Sequence, residues 1–290
     1  MFCSTMRTSY CAYDYMLRKM YQRAAKVGRQ TTRFALASKQ LLVCSCFSSL
    51  GPASWGKPAN YRLSGEDKLK APPAPPVIVC APGLEYLACL DQIIIRQLLQ
   101  VGFSCERRNR YVATNSMGQI IYNMAEYSER CARFHYGQVR SFEMDVLDYR
   151  NAVVMHFVRP LRCMRPCCGC RGQEMEVQAP PGNVIAMIRH ESSMCDTKFS
   201  VNDRNSRSVL DIVGPACQTG VACGGIVEFK VLSTNGVVIG KITKLWGGAL
   251  KEVFTTADNY AVTFPLDLDV HIKGALIAAT ILIDYMFFEA

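Results

Sequence analysis

Four cysteines within eight residues form the densest group of reactive side chains in the chain. They are Cys163, Cys167, Cys168 and Cys170, in the segment RCMRPCCGCRG, and three arginines lie among and beside them. Clustered thiols next to cationic side chains favour S-palmitoylation at an anionic lipid surface, where two or more acyl chains give stable attachment. Two alternatives remain open. One is an unmodified reduced loop, and the other is zinc, for which the cluster lacks a second cysteine pair or histidines at matching spacing.

No arrangement of residues predicts a catalytic site. The four histidines lie at positions 135, 156, 190 and 271, without HExxH or another paired spacing. The chain also has no GxSxG, P-loop or dinucleotide fingerprint. Hydrolase, kinase and dehydrogenase functions therefore have no support in the sequence.

Positive charge is confined to the beginning of the chain. Of the 33 Lys/Arg and 24 Asp/Glu residues, 12 basic and three acidic residues lie in 1–70, which leaves 21 of each in 71–290. We predict a disordered basic arm over 1–70 that contacts anionic lipid, nucleic acid or an import receptor, with nucleic acid the least favoured of the three. The neutral body is expected to bind none of these through its bulk charge. The arm is rich in Arg, Ser and Thr, so a mitochondrial transit peptide is an alternative. No signal-peptide core follows Met1, which favours a reducing compartment for the 15 cysteines.

The rest of the chain has the pattern of an antiparallel β domain. A Pro-rich linker, residues 71–82, precedes it and is also a weak candidate ligand for SH3 or WW domains. Helical spacing of Leu87, Leu90, Ile94 and Leu98 predicts a short amphipathic helix, and Trp246, Leu250, Val253 and Phe254 predict another. Between them are five hairpin-like units, the last containing Asn235-Gly236, which favours a primed turn. A sheet of at least ten strands must close into a barrel or split into two packed sheets to protect its edges. Residues 83–290 are therefore predicted to form one barrel or sandwich.

The chain ends in HIKGALIAATILIDYMFFEA, which is either a membrane span or a core helix. Its apolar part, Gly274 to Phe288, has 15 residues and contains Asp284. At about 1.5 Å per residue it reaches roughly 22 Å, which is less than a hydrocarbon core about 30 Å thick. We therefore predict a helix over 273–289 that lies inside the barrel. Small residues, Gly274, Ala275, Ala278 and Ala279, are expected to approach the wall, and the interior is expected to be filled by Ile277, Ile281, Leu282 and Phe287.

Several motifs resemble the phospholipid scramblases in sequence and in order. They are PGLEYL (82–87), NSMGQIIY (115–122), RPLRC (159–163), QEMEVQAPPG (173–182), GKITKLW (240–246), ADNYAVTFPLDLDV (257–270) and LIDYMFFE (282–289). The resemblance implies an all-β, Tubby-like barrel of twelve antiparallel strands around a central apolar helix. It also implies palmitoylation of the cysteine cluster, although Pro166 and Arg171 stand where the family usually has Cys.

The resemblance implies two further sites. A calcium loop of the EF-hand type aligns with 256–267, with ligands from Asp258, Tyr260, Val262 and Asp267. Thr256 and Ala261 depart from the pattern at positions that need an acid and a glycine, so the expected site is weak. A segment with Lys241 and Lys244 resembles a nuclear import signal, and an ordinary surface strand is the alternative.

The function that the resemblance implies is calcium-responsive, ATP-independent movement of phospholipids in both directions between bilayer leaflets. The expected location is the cytoplasmic face of the plasma membrane, with homo-oligomers as possible assemblies; the family's terminal helix is commonly treated as a single-pass segment. Two alternatives are a membrane-attached lipid-binding or signalling adaptor without transport, and a mitochondrial lipid-handling scramblase. The expected cofactors are calcium and covalent palmitate.

Overall fold

A computed structural model describes residues 80–98, 108–129, 132–133, 136–162, 172–192, 197–215, 227–245 and 258–289. These residues form a closed barrel of twelve antiparallel strands around one long helix. The strands are β1 (Gln92–Gln97), β2 (Arg110–Thr114), β3 (Ile120–Tyr127), β4 (Phe142–Leu147), β5 (Val153–Arg159), β6 (Glu174–Gln178), β7 (Val184–Ser192), β8 (Thr197–Asp203), β9 (Ser208–Val213), β10 (Val227–Ser233), β11 (Val238–Leu245) and β12 (Asn259–Thr263). The helices are α1 (Glu85–Ala88) and α2 (Val270–Phe287).

The strands follow one another around the barrel in chain order, and β1 closes the ring by pairing with both β12 and β2. The five predicted hairpins are confirmed as β2–β3, β4–β5, β6–β7, β8–β9 and β10–β11. The barrel with a central C-terminal helix is confirmed as well. The predicted boundary at residue 70 and the predicted helix over Trp246 to Phe254 lie outside the described residues.

The helix predicted from Leu87 to Leu98 is wrong beyond its first turn. The chain forms the four-residue α1 and then strand β1, in which Ile93 and Ile95 are fully buried and Ile94 is partly exposed. Three consecutive β-branched isoleucines favour a strand, and the closure of the ring requires a partner for both β2 and β12. The tertiary pairing therefore overrides the helical spacing.

Tight connections at one end of the barrel share a single design. In four of the five hairpins the fourth residue of the turn has a positive φ: Gly118, Asn151, Ser206 and Gly236. In three of them the side chain of the first residue accepts backbone N–H groups, as when Asn115 Oδ1 accepts from Met117 N (3.1 Å) and Gln119 N (2.9 Å). We call this end, which also holds residues 264–269 and the start of α2, the turn end.

The turn at Asn235-Gly236 differs from the predicted primed type. A type I′ turn needs a positive φ at both central residues, but only Gly236 has one, at 77°. Gly236 N donates to Ser233 O (2.8 Å), and Ser233 N donates to Val237 O (2.8 Å). The hairpin thus has the three-residue loop in which a type I turn is followed by a left-handed glycine.

The long helix α2 fills the barrel, as the sequence predicts. It begins three residues earlier than predicted because Asp269 Oδ1 accepts from His271 N (2.8 Å) and Ile272 N (3.3 Å), which caps its amino end. Ile277, Ile281 and Leu282 are fully buried. A Cβ atom at Gly274 would lie 3.0 Å from Met155 Sδ, so the small residue is needed for the close approach to the wall. Phe287 is half-buried at the barrel mouth, against the rings of Phe199 and Phe229.

Candidate functional site

Buried polar side chains are concentrated at the end of the barrel where α2 terminates, which we call the polar end. These side chains lie on or next to β2, β3, β4, β5, β11 and β12 and on the last residues of α2. The connection that carries the four cysteines leaves β5 and enters β6 at this same end. Cys163, Cys167, Cys168 and Cys170 themselves lie outside the described residues, between Arg162 and Gly172.

The first cluster at the polar end is a buried ion pair between Glu126 and Arg140. Arg140 Nε donates to Glu126 Oε1 at 2.8 Å, and the side chains are 4% and 0% exposed. Arg140 also donates to both carboxylate oxygens of Glu289, at 2.6 and 2.8 Å, while Tyr285 Oη donates to Glu126 Oε2 at 2.8 Å. Burial by itself would raise the pKa of Glu126, but hydrogen bonding to Arg140 and its charge outweigh burial and lower that pKa.

The second cluster surrounds Asp284, the one acid within α2. Tyr111 Oη donates to Oδ2 at 2.5 Å and Tyr260 Oη donates to Oδ1 at 2.7 Å, from β2 and β12, the two strands that flank β1. Burial raises the pKa of Asp284 to about 7, although both tyrosine hydrogen bonds and the charge of Lys244 act to lower it. Burial also raises the pKa of both tyrosines well above its ordinary value. The carboxyl therefore ties the helix end to the barrel wall and titrates near neutral pH.

Arg159 is a buried cation without a carboxylate at hydrogen-bonding distance among the described residues. Its Nη2 and Nε atoms donate to Gln173 Oε1, at 2.9 and 3.3 Å, and its guanidinium lies 5.8 Å from the centre of the Tyr285 ring. Its Nη1 atom is buried and has no partner in the described part of the chain. Burial lowers the pKa of this guanidinium to about 10, so it remains charged at neutral pH.

Residues predicted as calcium ligands do not meet at one place. Asp258 Oδ1 lies 2.7 Å from Lys244 Nζ, and the Tyr260 hydroxyl is engaged with Asp284. Val262 is buried in β12, paired with both β1 and β11. Asp267 is exposed at the turn end, beyond five strand residues that span roughly 16 Å. A single ion cannot bind both carboxylates across a strand, so these residues do not fit the EF-hand type of loop.

Within the described ranges, no three His, Cys, Asp or Glu side chains are placed so that they could hold a metal ion together.

The two lysines of the import-like segment lie on opposite faces of β11. Lys241 is half-exposed and pairs with Glu228 at 3.1 Å. Lys244 is 5% exposed and sits 3.7 Å above the centre of the Phe288 ring. The folded barrel therefore presents only Lys241 to a partner.

At the turn end, the ammonium group of Lys273 is buried. Lys273 Nζ donates to three backbone carbonyls, Leu87 O at 2.9 Å and Leu90 O and Leu266 O at 2.8 Å. These bonds join the first turn of α2 to α1 and to the segment that follows β12. Burial lowers the pKa of this amine.

The sequence reasoning missed most of the polar end, although a signal was present. In β4 the inward positions Phe142, Met144 and Val146 continue backwards to Arg140, and in β5 Met155 and Phe157 continue forwards to Arg159. Extending the two-residue period by one step beyond each strand would have placed both arginines inside the barrel.

Comparisons with known proteins agree with the sequence motifs. The family model described as Scramblase matches residues 71–290. The chain belongs to the scramblase family. It is 43% identical over 232 residues to phospholipid scramblase 2 of Homo sapiens, covering 79% of this chain and 77% of that protein. It is 44% identical over 223 residues to human phospholipid scramblase 1 (75% and 70%) and 41% identical over 218 residues to human phospholipid scramblase family member 5 (74% and 80%). No solved structure matches the chain.

Membership in the scramblase family makes phospholipid membranes the partner of this protein. α2 is long and apolar enough to cross a membrane by composition, yet 83% of that stretch is buried inside the barrel. This helix alone therefore does not show how the scramblase barrel contacts a bilayer.

Proposed function

We propose that this scramblase moves phospholipids in both directions between bilayer leaflets, without ATP and in response to calcium. The observation that carries the proposal is the family match over 71–290, which includes the whole described barrel, together with relatives named phospholipid scramblases. The absence of a P-loop from the sequence supports independence from ATP.

Attachment in this proposal is at the cytoplasmic face of the plasma membrane, through palmitate on Cys163, Cys167, Cys168 and Cys170. The arginines in the same segment favour an anionic leaflet, and the connection that carries the cysteines starts and ends at the polar end of the barrel. Replacing Cys163, Cys167, Cys168 and Cys170 with Ser should remove thioester-linked palmitate labelling of this segment and reduce the membrane fraction of the protein. Labelling that is unchanged in this variant would reject the cysteines as acceptors.

The buried position of α2 limits the mechanism. A polar headgroup that crosses hydrocarbon needs a polar path, and a helix enclosed by strands does not line one. Transport then depends on local thinning of the bilayer by the attached barrel, or on several barrels acting together.

Two kinds of protein partner stay predictions. One is a second copy of the chain in a homo-oligomer, and the other is an SH3 or WW domain bound to residues 71–82.

Reconstitution of the full chain into liposomes tests transport. Fluorescent phosphatidylcholine is placed in both leaflets and an impermeant reductant is added without ATP, with and without calcium. A scramblase brings inner-leaflet lipid to the reductant, so the signal falls well below half. The Asp267→Asn variant is the matched control for calcium. Since Asp258 and Asp267 do not fit one ion, we expect the variant to keep the calcium response of the parent.

The buried helix favours a second candidate, a membrane-attached lipid-binding or signalling adaptor without transport. In the same experiment an adaptor binds the liposomes and leaves the signal at the half-way plateau of protein-free vesicles. A mitochondrial lipid-handling role rests on the composition of residues 1–70, which lie outside the described residues. Fusion of that arm to a fluorescent reporter separates mitochondrial from plasma-membrane location.

A further inference from the structure

Exposed apolar side chains are unevenly distributed over the barrel. Within the described ranges, six large hydrophobic residues are exposed, and five of them lie at the turn end: Met117, Val153, Val237, Val238 and Leu266. Their exposed fractions run from 40% for Val153 to 71% for Met117. Leu98, at the opposite end, is 37% exposed.

Four of these residues form a continuous sector of the turn end, which we call the apolar rim: Met117, Val237, Val238 and Leu266. Met117 lies in the β2–β3 turn, Val237 and Val238 lie at the β10–β11 turn, and Leu266 follows β12. Because β11, β12, β1 and β2 are neighbours in the ring, the sector spans only about 15 Å, at roughly 4.8 Å per strand. The other half of the turn end carries exposed Arg150, Arg204 and Arg207.

We propose that the apolar rim is a membrane-insertion surface, which enters the boundary between headgroups and acyl chains of a phospholipid bilayer. Phospholipid membranes are the partner that family membership assigns to this chain. The inference concerns binding of the protein without palmitate and stands whether or not the protein moves lipids. Because the connection with the cysteines leaves the opposite end of the barrel, the rim and the acyl chains are alternative contacts with a bilayer, not simultaneous ones.

The shape of the rim fits a bilayer better than a protein surface. Met117 and Leu266 each adjoin a polar residue, Ser116 and Asp267, and Val237 with Val238 forms a third point at the β10–β11 turn, so the rim consists of separate apolar tips without a single apolar centre. A stable protein interface buries about 800 Å² on each partner around such a centre. Separate tips can instead enter the interfacial region of a bilayer independently, to a depth of about 5–10 Å.

The turns that carry the rim are held by local bonds, so little order is lost on insertion. Asn115 Oδ1 holds the backbone of Met117 and Gln119, and Asn115 N also donates to Gln119 O at 3.0 Å. Gly236 N donates to Ser233 O next to Val237. The apolar side chains are thus presented on rigid supports before a membrane arrives.

The charge at the turn end predicts which lipids are needed. Three exposed arginines at this end are balanced by three exposed acids, Asp91, Asp267 and Asp269. The attraction to anionic lipid is therefore small, and insertion should occur on zwitterionic vesicles. Such vesicles also exclude the basic arm as the cause of binding, because the arm requires anionic lipid.

The experiment measures flotation of the full chain, purified without palmitate, with vesicles of phosphatidylcholine alone. The variant M117S/V237S/V238S/L266S should lose at least tenfold in the vesicle partition coefficient. The matched control Leu98→Ser, at the other end of the barrel, should bind as the parent does. An unchanged thermal transition shows that the fourfold variant remains folded, as expected for exposed turn residues.

A second measurement places the rim in the bilayer. The emission of a Met117→Trp variant should shift to shorter wavelength on vesicle binding and should be quenched by lipids brominated on their acyl chains. A Leu98→Trp variant should show neither effect. Flotation of the fourfold variant equal to that of the parent overturns the proposal. The proposal is also overturned if the parent is a dimer that the fourfold substitution dissociates while flotation with vesicles is retained. The rim would then join two copies of the chain.

Discussion

The two ends of the barrel are stabilised in different ways. In the hairpin turns of the turn end, residues two to four positions apart hold each other through side-chain and backbone hydrogen bonds, as Asn115 holds Met117 and Gln119. At the polar end, the partners are far apart in the chain: Arg140 binds Glu289 across 149 positions, and Tyr111 binds Asp284 across 173. The hairpin turns can therefore form locally, whereas the polar end, like the bonds of Lys273 to Leu87 and Leu90, exists only after the barrel has closed around α2.

The largest expected effect is the loss of the buried ion pair at the polar end. Arg140→Met leaves the fully buried carboxylate of Glu126 and that of Glu289 without their cation, which should cost about 3–5 kcal/mol of the free energy of unfolding. Urea denaturation at neutral pH measures this loss.

The matched control for Arg140→Met is the double variant E126Q/R140M. Because the substitution of Glu126 removes the buried negative charge, the double variant should be more stable than Arg140→Met alone. Equal or lower stability of the double variant would contradict a dominant role of the uncompensated carboxylate.

The next effect concerns the pH dependence of the polar end. Burial raises the pKa of Asp284 from about 3.8 in the unfolded chain to about 7 in the folded chain, so its stabilising contribution is complete below pH 4 and is lost as the pH rises through 7. The difference corresponds to roughly 4 kcal/mol at most, since one pKa unit is about 1.4 kcal/mol. In the Asp284→Asn variant this part of the pH dependence should disappear.

Thermal unfolding of both proteins between pH 5 and pH 8 tests the Asp284 prediction. The other ionisable groups are common to both proteins, so their contributions cancel in the difference. The melting temperature of the parent should fall more with rising pH than that of Asp284→Asn. Parallel curves would show that the carboxyl does not titrate in this range.

A smaller effect is expected at the turn end. Lys273→Met removes the donor for Leu87 O, Leu90 O and Leu266 O, and unsatisfied carbonyls at a partly buried site should cost about 1–3 kcal/mol. The matched control is Lys241→Met, whose exposed ion pair with Glu228 should contribute at most about 1 kcal/mol. Unfolding in urea compares the two, and equal losses would mean that the three carbonyls find other partners.

The sequence by itself determined the hairpins and the place of the last helix. Two patterns specify each hairpin locally. Alternating apolar residues determine which side chains face the interior, and Asn, Asp or Gly at fixed turn positions allow the left-handed backbone of the turn. The apolar stretch around Asp284 is too short to span a membrane. From this length the sequence correctly predicts that α2 lies inside the barrel. These features need no knowledge of distant residues.

Only the tertiary structure decided the closure strand and the polar end. The spacing from Leu87 to Leu98 favoured a helix, but β1 forms because β2 and β12 both need its backbone hydrogen bonds. Likewise, the two-residue period places Arg140 and Arg159 on the inward face, but nothing local shows that Glu126 is buried with them or which groups become their partners. Their burial follows from closing twelve strands around α2, which brings charges from distant segments together inside the barrel.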